Sequence, residues 1–452
     1  MKRLSVFLLM IFISLFLWAQ DDTDDFLSDI WEPEDVEMEE YETEPPPPKK
    51  FRLKNRTVEF SIANISVDIS NSFIAAADIF RNPFYLLWNI NDIIKDPVLI
   101  YQDKIVIDLD DFFNGFKFNF GAVVMPFSLN FNRHDKWGFG LDIGHVSVMG
   151  NVFLSGNMMR LKKIKDDKFG VGAAVFADVG IPVFFHVNEL KIKMRPAAYV
   201  PILYAEPNVI YTGKNVKEGT YLKIDYNMRI YSLVDLNDGI LKGLQDNAWD
   251  IPRNNMGYDF RLGMEYPLDY GLDLGVDIVN IPVPFAAAKL NHYSQINGKA
   301  VLDTSSIDLA DLTNDGMNME DVFDYNYEYK SGYDSKGKNI YRPFVMLFYA
   351  NYRPFDTRVF SLIPSLGFSI NWLYPQIFSL EGGLSACFDF ANIFILVPGI
   401  NYNDHQWKNS IDFVLNLRAF ELDFGLSMQS QDFIKSFRGA GLGVNFGLKF
   451  GW

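Results

Sequence analysis

The last twelve residues alternate without a break. Leu442, Val444, Phe446, Leu448, Phe450 and Trp452 hold one parity, and Gly441, Gly443, Asn445, Gly447, Lys449 and Gly451 hold the other. Successive side chains of a β-strand point to opposite faces, so this segment is a ribbon with one wholly apolar face and one of glycine and polar groups. A helix would scatter both sets around its circumference.

The pattern recurs upstream. Phe420, Leu422, Phe424, Leu426 and Met428 oppose Glu421, Asp423, Gly425, Ser427 and Gln429, and before them Ile411, Phe413, Leu415 and Leu417 form a second apolar stripe. The parity switches between Leu417 and Phe420. A two-residue hairpin at Arg418-Ala419 pairs those residues directly and keeps both on the apolar face. Further ribbons place Lys223, Asp225 and Arg229 opposite Leu222, Ile224 and Ile230, then Asp259, Arg261 and Glu265 opposite Phe260, Leu262 and Tyr266, then Asp273 and Asp277 opposite Leu274 and Ile278.

Such ribbons suit a soluble sandwich, with apolar faces packed together, or a membrane barrel, with apolar faces to lipid and polar faces to a lumen. Two features favour the barrel. Many polar-face positions are glycine, as at 138, 140, 172, 263, 275, 441, 443 and 447, whereas exposed strands of soluble sheets avoid it. Trp137, Trp372, Trp407 and Trp452 sit at strand ends, where indole rings mark a membrane interface. After residue 19 no run of eighteen apolar residues exists from which to draw a spanning helix.

The segment Gly441 to Trp452, with its apolar face Leu442, Val444, Phe446, Leu448, Phe450 and Trp452, resembles the C-terminal insertion signal of bacterial outer-membrane β-barrels. That resemblance implies outer-membrane lipid and the barrel-assembly machinery as partners. With Trp452 at the periplasm, walking backward gives about fourteen strands: 115–131, 137–153, 168–186, 190–212, 220–234, 258–266, 269–287, 342–353, 358–372, 377–390, 391–400, 409–418, 419–430 and 441–452. Connections at 267–268, 354–357, 389–391 and 418–419 are then short and periplasmic, and 235–257 and 288–341 long and extracellular, the asymmetry of bacterial barrels. The turn at 154–167, long and basic, fits poorly.

The N-terminus reads as a secretory signal over residues 1–19, cationic at Lys2-Arg3 and apolar from Leu4 to Ala19, an uncleaved anchor being the alternative. Residues 20–50 form an acidic, proline-rich periplasmic tail too polar to offset its ordering entropy. Of the net charge of −16, residues 21–48 contribute thirteen carboxylates and no Lys or Arg. Set apart with Lys2 and Arg3, they leave −5 from residue 49 onward, which excludes nucleic acid as a partner. Residues 51–114 read either as a lumen plug or as first strands with a short helix after Pro83, and residues 115–452 as the transmembrane barrel.

Enzyme chemistry finds no support. The five histidines lack metal-ligand spacing, no Gly-x-Ser-x-Gly occurs, and the single Cys387 allows no intrachain disulfide. No metal or other cofactor is implied. The acidic run from Asp303 to Asp334 lacks calcium-loop spacing and reads as a solvated surface loop. The expected fold is therefore all-β, a closed antiparallel transmembrane β-barrel of about fourteen strands. Its expected role is to admit a small-molecule solute across the outer membrane. Fourteen strands with an N-terminal plug resemble the outer-membrane long-chain fatty-acid transporter family, which implies a hydrophobic solute. The second reading is a surface structural or adhesion barrel acting through its long loop. Lys223, Asp225, Arg229, Asp259, Arg261, Glu265, Asp273, Asp277, Glu421 and Asp423 are the lumen-facing candidates, as tuners of passage or as cross-links of the interior.

Overall fold

The computed structural model describes residues 56–71, 115–133, 136–155, 164–206, 209–216, 219–236, 255–268, 271–283, 286–303, 323–354, 359–374, 377–417, 419–431, 433–437 and 439–452. The signal at 1–19, the acidic tail at 20–50, the Pro83 helix and most of the Asp303 to Asp334 run lie outside them.

Twenty strands among these residues close into a ring of fourteen antiparallel staves. The first stave is β1 (Val58–Asn71). The second is β2 (Gly115–Met125) followed by β3 (Phe127–Arg133), and the third is β4 (Trp137–Ser155). The fourth joins β5 (Ile164–Gly180) to β6 (Val183–Val187), and the fifth joins β7 (Leu190–Ala205) to β8 (Val209–Val216). The sixth runs through β9 (Gly219–Ser232) and β10 (Gly257–Leu268), the seventh through β11 (Leu272–Pro282) and β12 (Ala288–Asp303), and the eighth through β13 (Phe323–Ile340) and β14 (Phe344–Tyr352). Six single strands complete the ring: β15 (Phe360–Ile370), β16 (Phe378–Phe390), β17 (Phe394–Asn403), β18 (Gln406–Asn416), β19 (Phe420–Ser430) and β20 (Gly441–Gly451).

Closure is made by β20 against β1, which pair from Phe60 with Phe450 to Ile69 with Leu442. At that seam Thr57 donates its N–H to the Trp452 carbonyl at 2.8 Å, and Trp452 donates to Val58 O at 3.1 Å. A closed ring leaves no unpaired edge, which is the condition for strands to cross lipid. The alternation sorts by face as the ribbons require. Leu366, Leu380, Leu384 and Ile411 are exposed on the outside, while Ser369, Ser379 and Glu381 on the opposite parity are buried.

The ring reaches fourteen by a different route from the sequence count. Residues 58–71, read there as outside the fourteen, are a wall strand. The segments 220–234 and 258–266, read as two strands, share one stave: Ser232 pairs with Leu203 and Gly257 with Tyr199, both running the same way beside the fifth stave. The chain that leaves this stave after Ser232 rejoins it at Gly257 running the same way. Uniting the two moves the 156–163 connection to the end of the barrel opposite the seam, beside the other long connections, and removes the misfit noted at 154–167. The span 288–341 is also largely strand, β12 and β13, pairing from Ala288 with Ile340 to Leu302 with Phe323.

Turns follow local chemistry. Leu417 N donates to Phe420 O at 2.8 Å, so the parity switch there is a tight hairpin. Asp404 and His405 join β17 to β18 as a two-residue loop, and both have positive φ, 46° and 63°, the handedness that matches the twist of the flanking strands.

Candidate functional site

Among the described residues the inner wall holds two cavities, and its chemistry divides by height and side. Nearest the end of the barrel where Trp452 lies, its seam end, β7, β10 and β11 carry charges at inward parity, beside Tyr349 of β14 and Arg353 just past it. Arg261 sits fork-on to Asp277, its Nε 2.8 Å from Oδ1. Lys193 Nζ lies 2.7 Å from Glu265 Oε1, which also accepts from Tyr349 Oη at 2.7 Å. Arg353 pairs with Asp273. Of these, Lys193, Arg261, Asp277, Tyr349 and Arg353 line a cavity of about 1060 Å³ together with Asn130, His186, Lys191 and Arg195.

Above them the charges become buried. Arg342 spans Asp259 with Nε at 2.7 Å and with Nη2, and gives Nη1 to Asp178. Asp178 also accepts from Arg195 Nη2 at 2.7 Å and meets His145 Nδ1 at 2.5 Å, while Arg195 Nε holds Asp142 at 2.6 Å. Side chains of Arg342, Asp178 and Asp259 are 5%, 1% and 3% exposed. Charges this deep persist only when paired and hydrogen-bonded.

Next to this network lies the main apolar cluster: Ala174, Phe176, Tyr199, Tyr204, Tyr231, Leu233, Ala288, Leu290, Ile340 and Leu373. It occupies the inside of the wall where the fourth to eighth staves are interrupted, at 181–182, 206–208, 233–256, 283–287 and 341–343. Tyr199 Oη donates to Ile340 O at 2.8 Å, tying the fifth stave to the eighth across the sixth and seventh. On the other side of the ring, β1 and β17 to β20 line a second cavity of about 400 Å³ with Asn64, Ser66, Asn401, Lys408, Asp412 and Asn445.

Glycine makes this interior possible. A Cβ on Gly180 would stand 2.4 Å from Arg195 Cζ, one on Gly257 2.5 Å from Tyr199 Cζ, and one on Gly275 2.2 Å from Tyr349 Cζ. The inward side chains of one strand lie flat over the bare backbone of the next, which is why this parity is rich in glycine.

Of the residues singled out from sequence, Asp259, Arg261, Glu265, Asp273 and Asp277 belong to the seam-side and buried networks just described. Glu421 and Asp423 both accept from Lys449, at 2.7 and 2.9 Å. Arg229 donates to Gln295 at 2.7 Å and lies over the Tyr231 and Tyr293 rings. The side chains of Lys223 and Asp225 lie outside those described. Trp137 and Trp452 stand at the seam end and Trp372 and Trp407 at the far end. Trp452 packs edge-on to Phe60 at 6.2 Å, and Trp407 meets Phe433 at 4.9 Å, in the short helix α1 (Phe433–Ser436). Sequence reasoning passed over Asp178, Arg195 and Arg342. The signal for the first was a lone carboxylate at the inward parity of Ala174-Val-Phe-Ala-Asp178; Arg342 sits at a strand end and gave none.

The chain matches no protein-family model and no curated protein. Among solved structures, the Pseudomonas putida toluene transporter TodX is 9% identical over 88% of this chain and 90% of its own, with a TM-score of 0.43. A Pseudomonas aeruginosa FadL homologue is 9% identical over 87% and 90%, at 0.38, and the translocator domain of the Neisseria meningitidis autotransporter NalP is 6% identical over 88% and 89%, at 0.27. The barrel itself is established by its own strand pairing.

Proposed function

We propose that this chain is an outer-membrane barrel that admits solute, hydrophobic solute included, with its seam end and N-terminal segment in the periplasm. The observation that carries the reading is an apolar outer belt around a ring whose inner wall is polar and hollow. Along β18 and one residue past it the belt runs from Trp407 to Leu417, ten residue steps, which at about 3.3 Å per step and a tilt of about 40° is roughly 25 Å, the apolar height of such barrels. Connections at the seam end, 134–136, 188–189, 269–271, 353–359 and 391–393, are short, and those at the far end include 72–114 and 304–322, the asymmetry that supports a periplasmic seam.

The apolar contacts a hydrophobic solute needs are present in the buried cluster around Phe176 and Tyr199, which adjoins the interruption of the sixth stave. The inner-wall charges, each paired with at least one opposite charge in the networks above, serve this reading as cross-links that hold the wall in shape. Leu442, Val444, Phe446, Leu448, Phe450 and Trp452, facing outward together, serve it as the lipid-facing signal for assembly. The test is uptake of a radiolabelled aromatic hydrocarbon and of a labelled fatty acid into proteoliposomes. Entry above that of protein-free vesicles is expected, and none with either would sink the reading. A second reading, contact with a surface partner, is favoured by the β12–β13 ribbon. From Asp324 to Ser331 its tyrosines alternate with Asp, Asn, Glu and Lys, with no lipid-type face. Surface binding that disappears when that ribbon is shortened, without solute entry, would favour it instead.

A further inference from the structure

The β15–β16 turn does not stay at the rim. Its stave positions, ninth and tenth, lie nearly opposite the third and fourth, yet Leu373 O accepts a hydrogen bond from Asn151 Nδ2 of β4 at 2.7 Å. A Cβ added to Gly172 of β5 would lie 2.4 Å from the same carbonyl. The Leu373 side chain is 3% exposed and belongs to the cluster of Ala174 and Phe176. The turn therefore crosses the lumen and inserts one apolar side chain into the opposite wall.

The two attachments of this crossing differ in kind. At its root the turn is tied by several polar contacts. Ser369 Oγ donates to Glu381 Oε1 at 2.5 Å, Asp404 N donates to the same oxygen at 3.2 Å, and Leu373 N donates to Asn371 Oδ1 at 3.2 Å. Tyr374 stacks edge-on to His405 at 5.7 Å. At its tip the described polar contact with the far wall is the single bond from Asn151, whose own Oδ1 is buried without a hydrogen-bond partner. A tip held by one hydrogen bond and one leucine is separable from that wall at modest cost, while a root held by Glu381 is not.

We infer that Leu373 occupies, as a stand-in from the protein's own chain, the apolar site beside Ala174 and Phe176 that a hydrophobic solute takes. Its displacement couples solute binding to opening of the lumen. The inference rests on the solute-admitting reading above and names the site and the gate within it. Solute and Leu373 compete for one volume, so the solute's apparent affinity is reduced by the fraction of time the leucine is in place. Shortening the leucine relieves that competition, and fixing it in place makes the competition complete.

The experiment uses the full chain in vesicles, with Cys387→Ser as background and a short aliphatic diazirine as probe. Photoadducts on the peptide carrying Ala174 and Phe176 are counted by mass spectrometry. Leu373→Ala is expected to raise adduct yield there about five-fold or more, since the site is then rarely filled from within. Asn151→Cys with Tyr374→Cys, which keeps the Leu373 side chain and ties the turn to β4 when oxidised, is expected to abolish it, and reduction to restore it. Unchanged yield in Leu373→Ala, or full yield in the cross-linked form, overturns the inference. Heat-modifiable migration checks that each variant is a folded barrel. Because adducts are read without transport, wild-type vesicles that take up no solute while the yields change as stated would defeat the transport reading and leave the Leu373 site standing.

Discussion

Replacing Arg342 by Met is the substitution with the largest consequence the interior predicts. Arg342 is the only described partner that spans Asp259 and Asp178 together, with two bonds to the first and one to the second. All three side chains are 5% exposed or less. Methionine fills much of the volume but leaves Asp259 without its fork, and Asp178 with Arg195 and His145 alone. Breaking a buried pair by removing one partner typically costs about 3–5 kcal/mol, most of it from the stranded charge. Arg261→Met provides the contrast. Arg261 grips Asp277 with the same fork geometry, but its side chain is 54% exposed. Water can solvate the orphaned carboxylate there, and the expected cost is about 0–1 kcal/mol. Urea titration of the barrel in phospholipid vesicles, read by heat-modifiable mobility, measures both. Adding Asp259→Asn to Arg342→Met should recover about 1–3 kcal/mol, since the stranded charge is then gone. Equal losses in Arg342→Met and Arg261→Met, or no recovery in the double variant, would show that burial does not govern these pairs and would refute the argument.

Three other outcomes follow from the wall. Leu366, midway along β15 and 69% exposed on the outer face, should cost about 2–4 kcal/mol as Leu366→Arg if lipid surrounds it, and Phe360→Arg at the strand end about 0–1, both by the same urea titration. Equal costs at the two depths would mean that water, not acyl chain, surrounds the belt. Gly367→Ala should impair assembly far more than Gly263→Ala: a Cβ at 367 would lie 1.9 Å from the Met346 carbonyl oxygen, whereas at 263 the nearest atom is Lys193 Cβ at 3.5 Å. The folded fraction in membrane extracts reports the difference. Tyr199→Phe removes the bond to Ile340 O and should lower stability by about 1–2 kcal/mol while leaving the mobility shift on heating intact.

How much of this was legible in the sequence depends on whether a feature is local. Which face of a strand meets which solvent is local, so the stripe from Leu442 to Trp452 and the inward parity of Asp259, Arg261 and Glu265 could be read from alternation alone. Which segments share a stave is not local. The ribbons ending at Ser232 and starting at Gly257 alternate equally well whether the chain between them reverses or only detours, so two strands were read where one stave exists. The β12–β13 ribbon escaped notice for a related reason. Its tyrosines hold one parity, but with no aliphatic residue among them Asp324-Tyr-Asn-Tyr-Glu-Tyr-Lys330 reads as loop, although the backbone pairs throughout. Pairing partners of the inner charges were equally hidden, since Arg342 reaches staves four and six from stave eight.

The β15–β16 turn shows where a local signal existed and was half used. Trp372-Leu373-Tyr374 places three apolar residues in succession between two strands, where polar turn residues are the rule. Trp372 was read as an interface aromatic, and it is exposed at the far end of the barrel. Leu373, beside it in the turn, is instead 3% exposed and points inward. An inward leucine at the mouth of a polar lumen has an apolar partner only if one exists across the barrel. Ala174 and Phe176, on the inward parity of β5, are that partner. The run of apolar residues in the turn and the apolar patch on the opposite strand were both visible in the sequence, and each lacked an explanation until the ring brought them together.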